Sequence, residues 1–219
     1  MSRVFNYDNG FFRGMGKLVD IFFLSVLWVI FSLPLITIGA STQALYYTVH
    51  KQIRGNRGYV WQEFWDSFRD QLGSNIVLTL IYEVLLGILS YERVLLKVML
   101  DNGGGKELSV MLYITIFVQF VLLTWAIFTF CYRARFTMDA KNSMKNGFLL
   151  MFGYLPQALI VLLLLPIAVL IVYLVPFLVF LVPVLLFLVY ERVLEKIFRS
   201  IMNPEDLAKE EELQMENDR

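Results

Sequence analysis

The chain is short of the residues that build familiar metal and redox sites. Cys131 is its single cysteine and His50 its single histidine, which excludes an internal disulfide, a His-rich metal site and an intramolecular Cys/His zinc cluster. Charge is scarce as well: Asp, Glu, Lys and Arg make up 17% of the 219 residues, against about 25% in soluble domains. The formal net charge is zero, so nothing draws nucleic acid, and what informs is which segments carry the charge. There is no P-loop, zincin pair, Ser/His/Asp set or nucleophile-elbow pentapeptide. The expectation is a protein that is not an enzyme and holds no cofactor and no metal.

Apolar residues are what the chain has in plenty, at 58% with aromatics at 16%, and the mean hydropathy is +0.64. A water-soluble fold could not hide that much apolar surface. About 20 apolar residues cross a hydrocarbon core, and the chain offers about five such runs, at 18–38, 72–91, 108–131, 149–172 and 175–191. The first is longer than the 7 to 15 apolar residues of a signal peptide, so it is read as retained, with Pro34 kinking it. From Phe148 to Tyr190 no charge occurs, a length that fits two spans joined near Tyr173 to Pro176. The second of these is short, and half-burial is the alternative to spanning. The predicted fold is an all-α polytopic transmembrane bundle, with one membrane domain over residues 1–200 and a charged cytoplasmic tail over 201–219.

Lys and Arg near the span ends predict the orientation. One set of loops holds Lys51, Arg54, Arg57, Arg69, Arg133, Arg135, Lys141, Lys145, Arg192, Lys196 and Arg199, and the other holds Arg3, Arg13, Lys17, Arg93, Lys97 and Lys106. The first set is the inner one, with the N-terminus outside and the C-terminus in the cytoplasm. A re-entrant first run around Pro34 would instead bring the N-terminus inside.

Trp61, Phe64, Trp65 and Phe68 fall at i, i+3, i+4 and i+7 in the first inner segment, opposite Gln62, Glu63, Asp66, Arg69 and Asp70. That is a short amphipathic helix, lying at the membrane surface or against the bundle, or meeting a cytoplasmic partner. Span, basic segment and short polar helix then recur before residue 148, a hint of two parallel units. His50, just past the first span, reads as an interfacial polar residue. The acid-rich stretch after Asn203-Pro204 reads as a helix start leading into a solvated tail.

Glu83 stands near the middle of the second run. A carboxylate at that depth costs roughly 2.5 to 3.5 kcal/mol on insertion scales and calls for a partner or a function. Gln119, Tyr82 or a serine could satisfy it. Glu92, nine residues on, is half a turn out of phase and makes no pair with it. Pro34, Thr37, Gly39 and Ser41 form a small, hydroxylated cluster suited to close helix packing.

Leu33-Pro34, Thr37-Ile38-Gly39-Ala40-Ser41, Ala44-Leu45-Tyr46, Phe64-Trp65-Asp66-Ser67-Phe68-Arg69, Arg135-Phe136, Lys145-Asn146-Gly147-Phe148 and Glu195-Lys196-Ile197-Phe198 together resemble the YesL-like family. These are small bacterial integral membrane proteins classed as a domain of unknown function, and the resemblance runs over about residues 3–200. It implies a bacterial inner-membrane location and genomic company with carbohydrate uptake systems, with no catalytic or ligand residues to carry over. The functional expectation is a non-enzymatic accessory protein of carbohydrate transport or utilisation, with the lipid bilayer and a transporter complex as partners. The alternative is a small independent transporter or channel using Glu83.

Overall fold

The computed structural model describes residues 10–217, and side chains from Met15 onward apart from Gln214, Glu216 and Asn217. Arg3 and the side chain of Arg13 lie outside what is described. Nine α-helices and no strand occur among the described residues. They are α1 (Gly10–Ser32), α2 (Ile38–Thr48), α3 (Val60–Arg69), α4 (Leu72–Asp101), α5 (Lys106–Arg135), α6 (Ala140–Gly153), α7 (Leu155–Leu174), α8 (Val182–Ile201) and α9 (Pro204–Asn217).

Four of these, α1, α4, α5 and α7, are long and apolar enough to cross a membrane. The fifth run, at 175–191, is not such a helix: it divides into a 3-10 turn, Pro176–Phe180, and the first half of α8. Pro176 and Pro183 explain the break, since neither supplies the N–H that would continue a helix. The remaining half of α8 turns amphipathic and buries Glu191 and Glu195. The run at 149–172 is also divided, between the end of α6 and α7, at Tyr154.

Pro34 does more than kink the first run. α1 stops at Ser32, residues Leu35–Thr37 make a 3-10 turn, and α2 starts in the reverse direction. The hydroxyl of Thr37 donates to the Phe31 carbonyl at 2.7 Å and that of Ser41 donates to the same oxygen at 2.9 Å, so one of the open carbonyls at the helix end is satisfied by side chains. Further down the hairpin, Trp28 Nε1 donates to Thr42 Oγ1 at 3.4 Å and Gln52 Nε2 to Asp20 Oδ2 at 2.9 Å. Asp20 and Gln52 therefore sit together at the open end of a helical hairpin.

α4 and α5 are 30 residues each, about 45 Å at 1.5 Å per residue, and pair antiparallel across a glycine turn in which Gly103 has φ +92. Tyr82 meets Thr129 at 2.7 Å, and Gln119 donates to Ser90 at 3.0 Å. α6 and α7 run back along α5, where Gly147 lets α6 approach Thr129 so closely that a Cβ would lie 2.6 Å from its hydroxyl. α8 returns along α7, with the Tyr190 hydroxyl donating to the Val161 carbonyl at 3.0 Å.

The core lies where α2, enclosed by its neighbours, meets α1, α3, α5 and α8. Outward faces of α4, α5 and α7 carry exposed Ile88, Phe117 and Leu163, as lipid contact requires. The three basic segments, the start of α4 and all of α9 gather at one end, held by Arg54–Glu191, Arg135–Glu210 and Arg133–Gln71 contacts.

Candidate functional site

At that charged end α2 does not stop but widens into a π-helical turn, Val49–Arg54, a local departure that often positions functional side chains. It aims His50 inward, and His50 is 6% exposed. Gly55 closes the turn, its N–H donating to the His50 carbonyl at 3.2 Å. Across from it, Glu191 and Glu195 stand four residues apart on α8 and so share a face; they are 5% and 7% exposed. Met202 is extended, α9 starts at Pro204, and the reversal lays Glu210 over the same spot.

The imidazole is the centre of this arrangement. Its Nδ1 lies 3.1 Å from Glu191 Oε1 and 3.7 Å from Glu195 Oε2, while Nε2 lies 2.9 Å from Glu210 Oε1. The outer carboxylate oxygens are held by arginines. Arg54 Nε is 2.6 Å from Glu191 Oε2, and Arg135 Nη2 is 2.8 Å from both Glu195 Oε1 and Glu210 Oε2. The Tyr46 hydroxyl reaches Glu195 Oε2 at 3.4 Å. Burial works against the imidazolium, but the bonds to Glu191 and Glu210 outweigh it and raise the His50 pKa. The His50 bond, with Arg135 adding to it against the cost of burial, pulls Glu210 down to about 2.

A second polar hub lies beside it, around Arg133, which is 2% exposed. Its Nε donates to Asn75 Oδ1 at 2.7 Å, Nη1 to the Met138 carbonyl at 3.0 Å and to Ser143 at 3.1 Å, and Nη2 to Ser74 at 3.1 Å and to Gln71. A guanidinium has five N–H donors, and here all five are used. Gln71 can face it because φ of 56° at that residue separates α3 from α4.

The residues singled out in the sequence fall elsewhere. Glu83 is half-buried on α4 and has no hydrogen-bond or ion-pair partner among the described residues, while Gln119 and Tyr82 serve Ser90 and Thr129 instead. Phe64 and Phe68 are buried against Phe31, Trp65 is half-buried, and Trp61 is 48% exposed. α3 is thus docked on the bundle by its aromatic stripe, and Trp61 at its start stacks on Trp65 at 5.8 Å while keeping about half its surface exposed. Gly39 is a close-approach site: a Cβ there would collide with Thr79 and Phe130. Thr37 and Ser41 close the turn at Pro34.

His50 is buried among carboxylates, and the acid-rich tail is not wholly solvated, since Glu210 docks α9. Sequence reasoning missed both because the partners come from positions 141 and 160 residues away. The one local signal was the i, i+4 carboxylate pair in the second half of a helix whose first nine residues are all apolar or aromatic.

Residues 21–93 match a family described as a protein of unknown function, DUF624. The match covers about a third of the chain and runs from α1 through the hairpin, the π turn, α3 and most of α4. It includes His50, Arg54 and the Leu33–Arg69 part of the resemblance; Arg135, Glu191, Glu195 and Glu210 lie beyond it. No curated protein and no solved structure matches the chain.

Proposed function

We propose that this protein is a non-enzymatic accessory of carbohydrate transport or utilisation in a bacterial inner membrane, docking to a cytoplasmic transporter component through the exposed start of α3. The observation that carries the docking is the pair Tyr59 and Trp61, 78% and 48% exposed, beside the 2.7 Å Lys51–Glu63 ion pair. Exposed aromatics next to fixed charges are typical anchors of protein interfaces. The carbohydrate link is supported by the YesL-like resemblance alone. Purification of the protein at native abundance tests the reading. The wild type should bring down a carbohydrate transporter component, and Tyr59→Ala with Trp61→Ala should lose it while still inserting. Recovery of no such component with the wild type refutes it.

The basic charged end supports a cytoplasmic placement by the positive-inside rule. Since Asp20 and Gln52 share that end, the hairpin favours the start of α1 on the cytoplasmic side with α9, in place of an outside N-terminus. In a Cys131→Ser background, Lys17→Cys and Lys209→Cys should label from the same face of oriented vesicles; labelling from opposite faces refutes it.

A second reading, a small transporter or channel, is favoured by the unpartnered, half-buried Glu83. Proteoliposome flux that Glu83→Gln abolishes would support it, and flux that the substitution leaves unchanged would remove the site.

A further inference from the structure

We propose that His50, Glu191 and Glu195 form a binding site for one divalent transition-metal cation, with Glu210 as the residue that orients the histidine. One ligand atom from each of His50, Glu191 and Glu195 lies within 4.8 Å of the other two, and His50 Nδ1 faces Glu191 Oε1 and Glu195 Oε2. Zinc–nitrogen and zinc–oxygen bonds are about 2.0 to 2.2 Å, so tetrahedral ligands stand roughly 3.3 to 3.5 Å apart. The observed separations from Nδ1, 3.1 and 3.7 Å, straddle that spacing.

The surroundings distinguish this from a simple ion-pair cluster. Nδ1 carries at most one proton, and at 3.1 Å that proton serves Glu191 Oε1. Glu195 Oε2 is then left in a buried place with only the 3.4 Å Tyr46 hydroxyl, and a buried carboxylate oxygen with so little is costly. A cation among the three atoms satisfies all of them together.

Every ligand is also held from behind. Glu210 accepts from His50 Nε2 at 2.9 Å, the carboxylate–histidine–metal relay that sets the tautomer and presents Nδ1 bare. Arg54 fixes the far oxygen of Glu191, and Arg135 fixes the far oxygen of Glu195. The arginines offset the charge of the acids from their far oxygens. An imidazole with two carboxylates selects Zn²⁺, Mn²⁺ or Fe²⁺ over Mg²⁺ or Ca²⁺, which take all-oxygen sets.

The ligands join α8 to the turn after α2, and the orienting residue comes from α9. Metal occupancy thus stiffens the end of the molecule where the proposed docking surface lies, yet the site stands whether or not that docking reading holds.

The test uses the full chain in detergent, stripped with a chelator and then equilibrated with Zn²⁺ alone, and in parallel with Co²⁺. The expected result is about one zinc per chain and a tetrahedral cobalt absorption spectrum. His50→Ala and Glu195→Gln should each weaken binding at least about a hundredfold. Glu210→Gln should keep the stoichiometry and lose about 10- to 100-fold in affinity, the usual range for such an orienting partner. Glu195→His supplies a stronger ligand and should retain the metal and shift the cobalt spectrum, which keeps the test decisive if the other variants fail to fold. A folded wild type that takes up no zinc overturns the proposal, and so does zinc binding that is unchanged in all four variants.

Discussion

Arg133 and Arg135 stand two residues apart on α5 and face opposite solutions to burying a guanidinium. Arg133 spends all five donors on neutral acceptors from α4, α6 and the segment between α5 and α6. Its shell is closed, and nothing in it can take a ligand without breaking a bond. Arg135 instead grips two carboxylates, and its Nε has no hydrogen-bond acceptor. What it leaves open is the inner side of those acids, turned toward His50. A satisfied hub rigidifies a fold, whereas a hub with atoms still facing one another is where chemistry can enter.

The largest break of this contrast is Arg133→Met. It strands the buried Asn75 Oδ1 and takes a donor from the buried Ser143 and from the half-buried Gln71 and Ser74, and with roughly 1 to 3 kcal/mol for an unsatisfied buried group the loss should reach about 3 kcal/mol. A thermal shift in detergent reads it, and added Zn²⁺ should not restore it. Arg135→Met should cost about 2 to 4 kcal/mol by leaving Glu195 and Glu210 to share His50, with only the more distant Arg199 beside Glu195, but here zinc should rescue. At a hundred times the dissociation constant, binding to the folded state adds about 2.7 kcal/mol. Equal rescue of both variants would erase the distinction between the two hubs.

Gly39→Ala comes next, because the collision with Thr79 and Phe130 must be relieved by shifting α2. Overpacking of this kind costs about 1 to 3 kcal/mol, and both hubs should loosen together, seen as faster amide exchange around Asn75 and His50. The smallest stability effect belongs to Trp61→Ala, about 0.5 to 1.5 kcal/mol for the lost stack on Trp65 at a half-exposed position. A drop of several kcal/mol there would mean that the ring supports the bundle and is not free to dock.

The class of fold was readable from the runs alone. A stretch such as Leu108 to Cys131 has no alternative to a bilayer-crossing helix, since no water-soluble packing hides it. The glycine turn at 103–105 and the α7–α8 connection near Pro176 were readable for the same local reason. Pro34 was read as a kink, however, and became a reversal, because only the packed Thr37 and Ser41 hydroxyls make a full stop at Ser32 affordable. The amphipathic pattern of α3 was visible, but not which of its rings would be buried. Phe31, from another helix, decides that.

The sequence by itself determined a helical bundle with its basic residues in three segments, a lone histidine, and a carboxylate at position 83, all properties of short windows. Only the tertiary structure decided that those segments meet at one end and that the carboxylates gathered around the histidine are Glu191, Glu195 and Glu210, while Glu83 stands apart. The reason is distance along the chain: hydrophobicity acts on each window independently, while a histidine finds its acids only after three helices and a tail have packed around it.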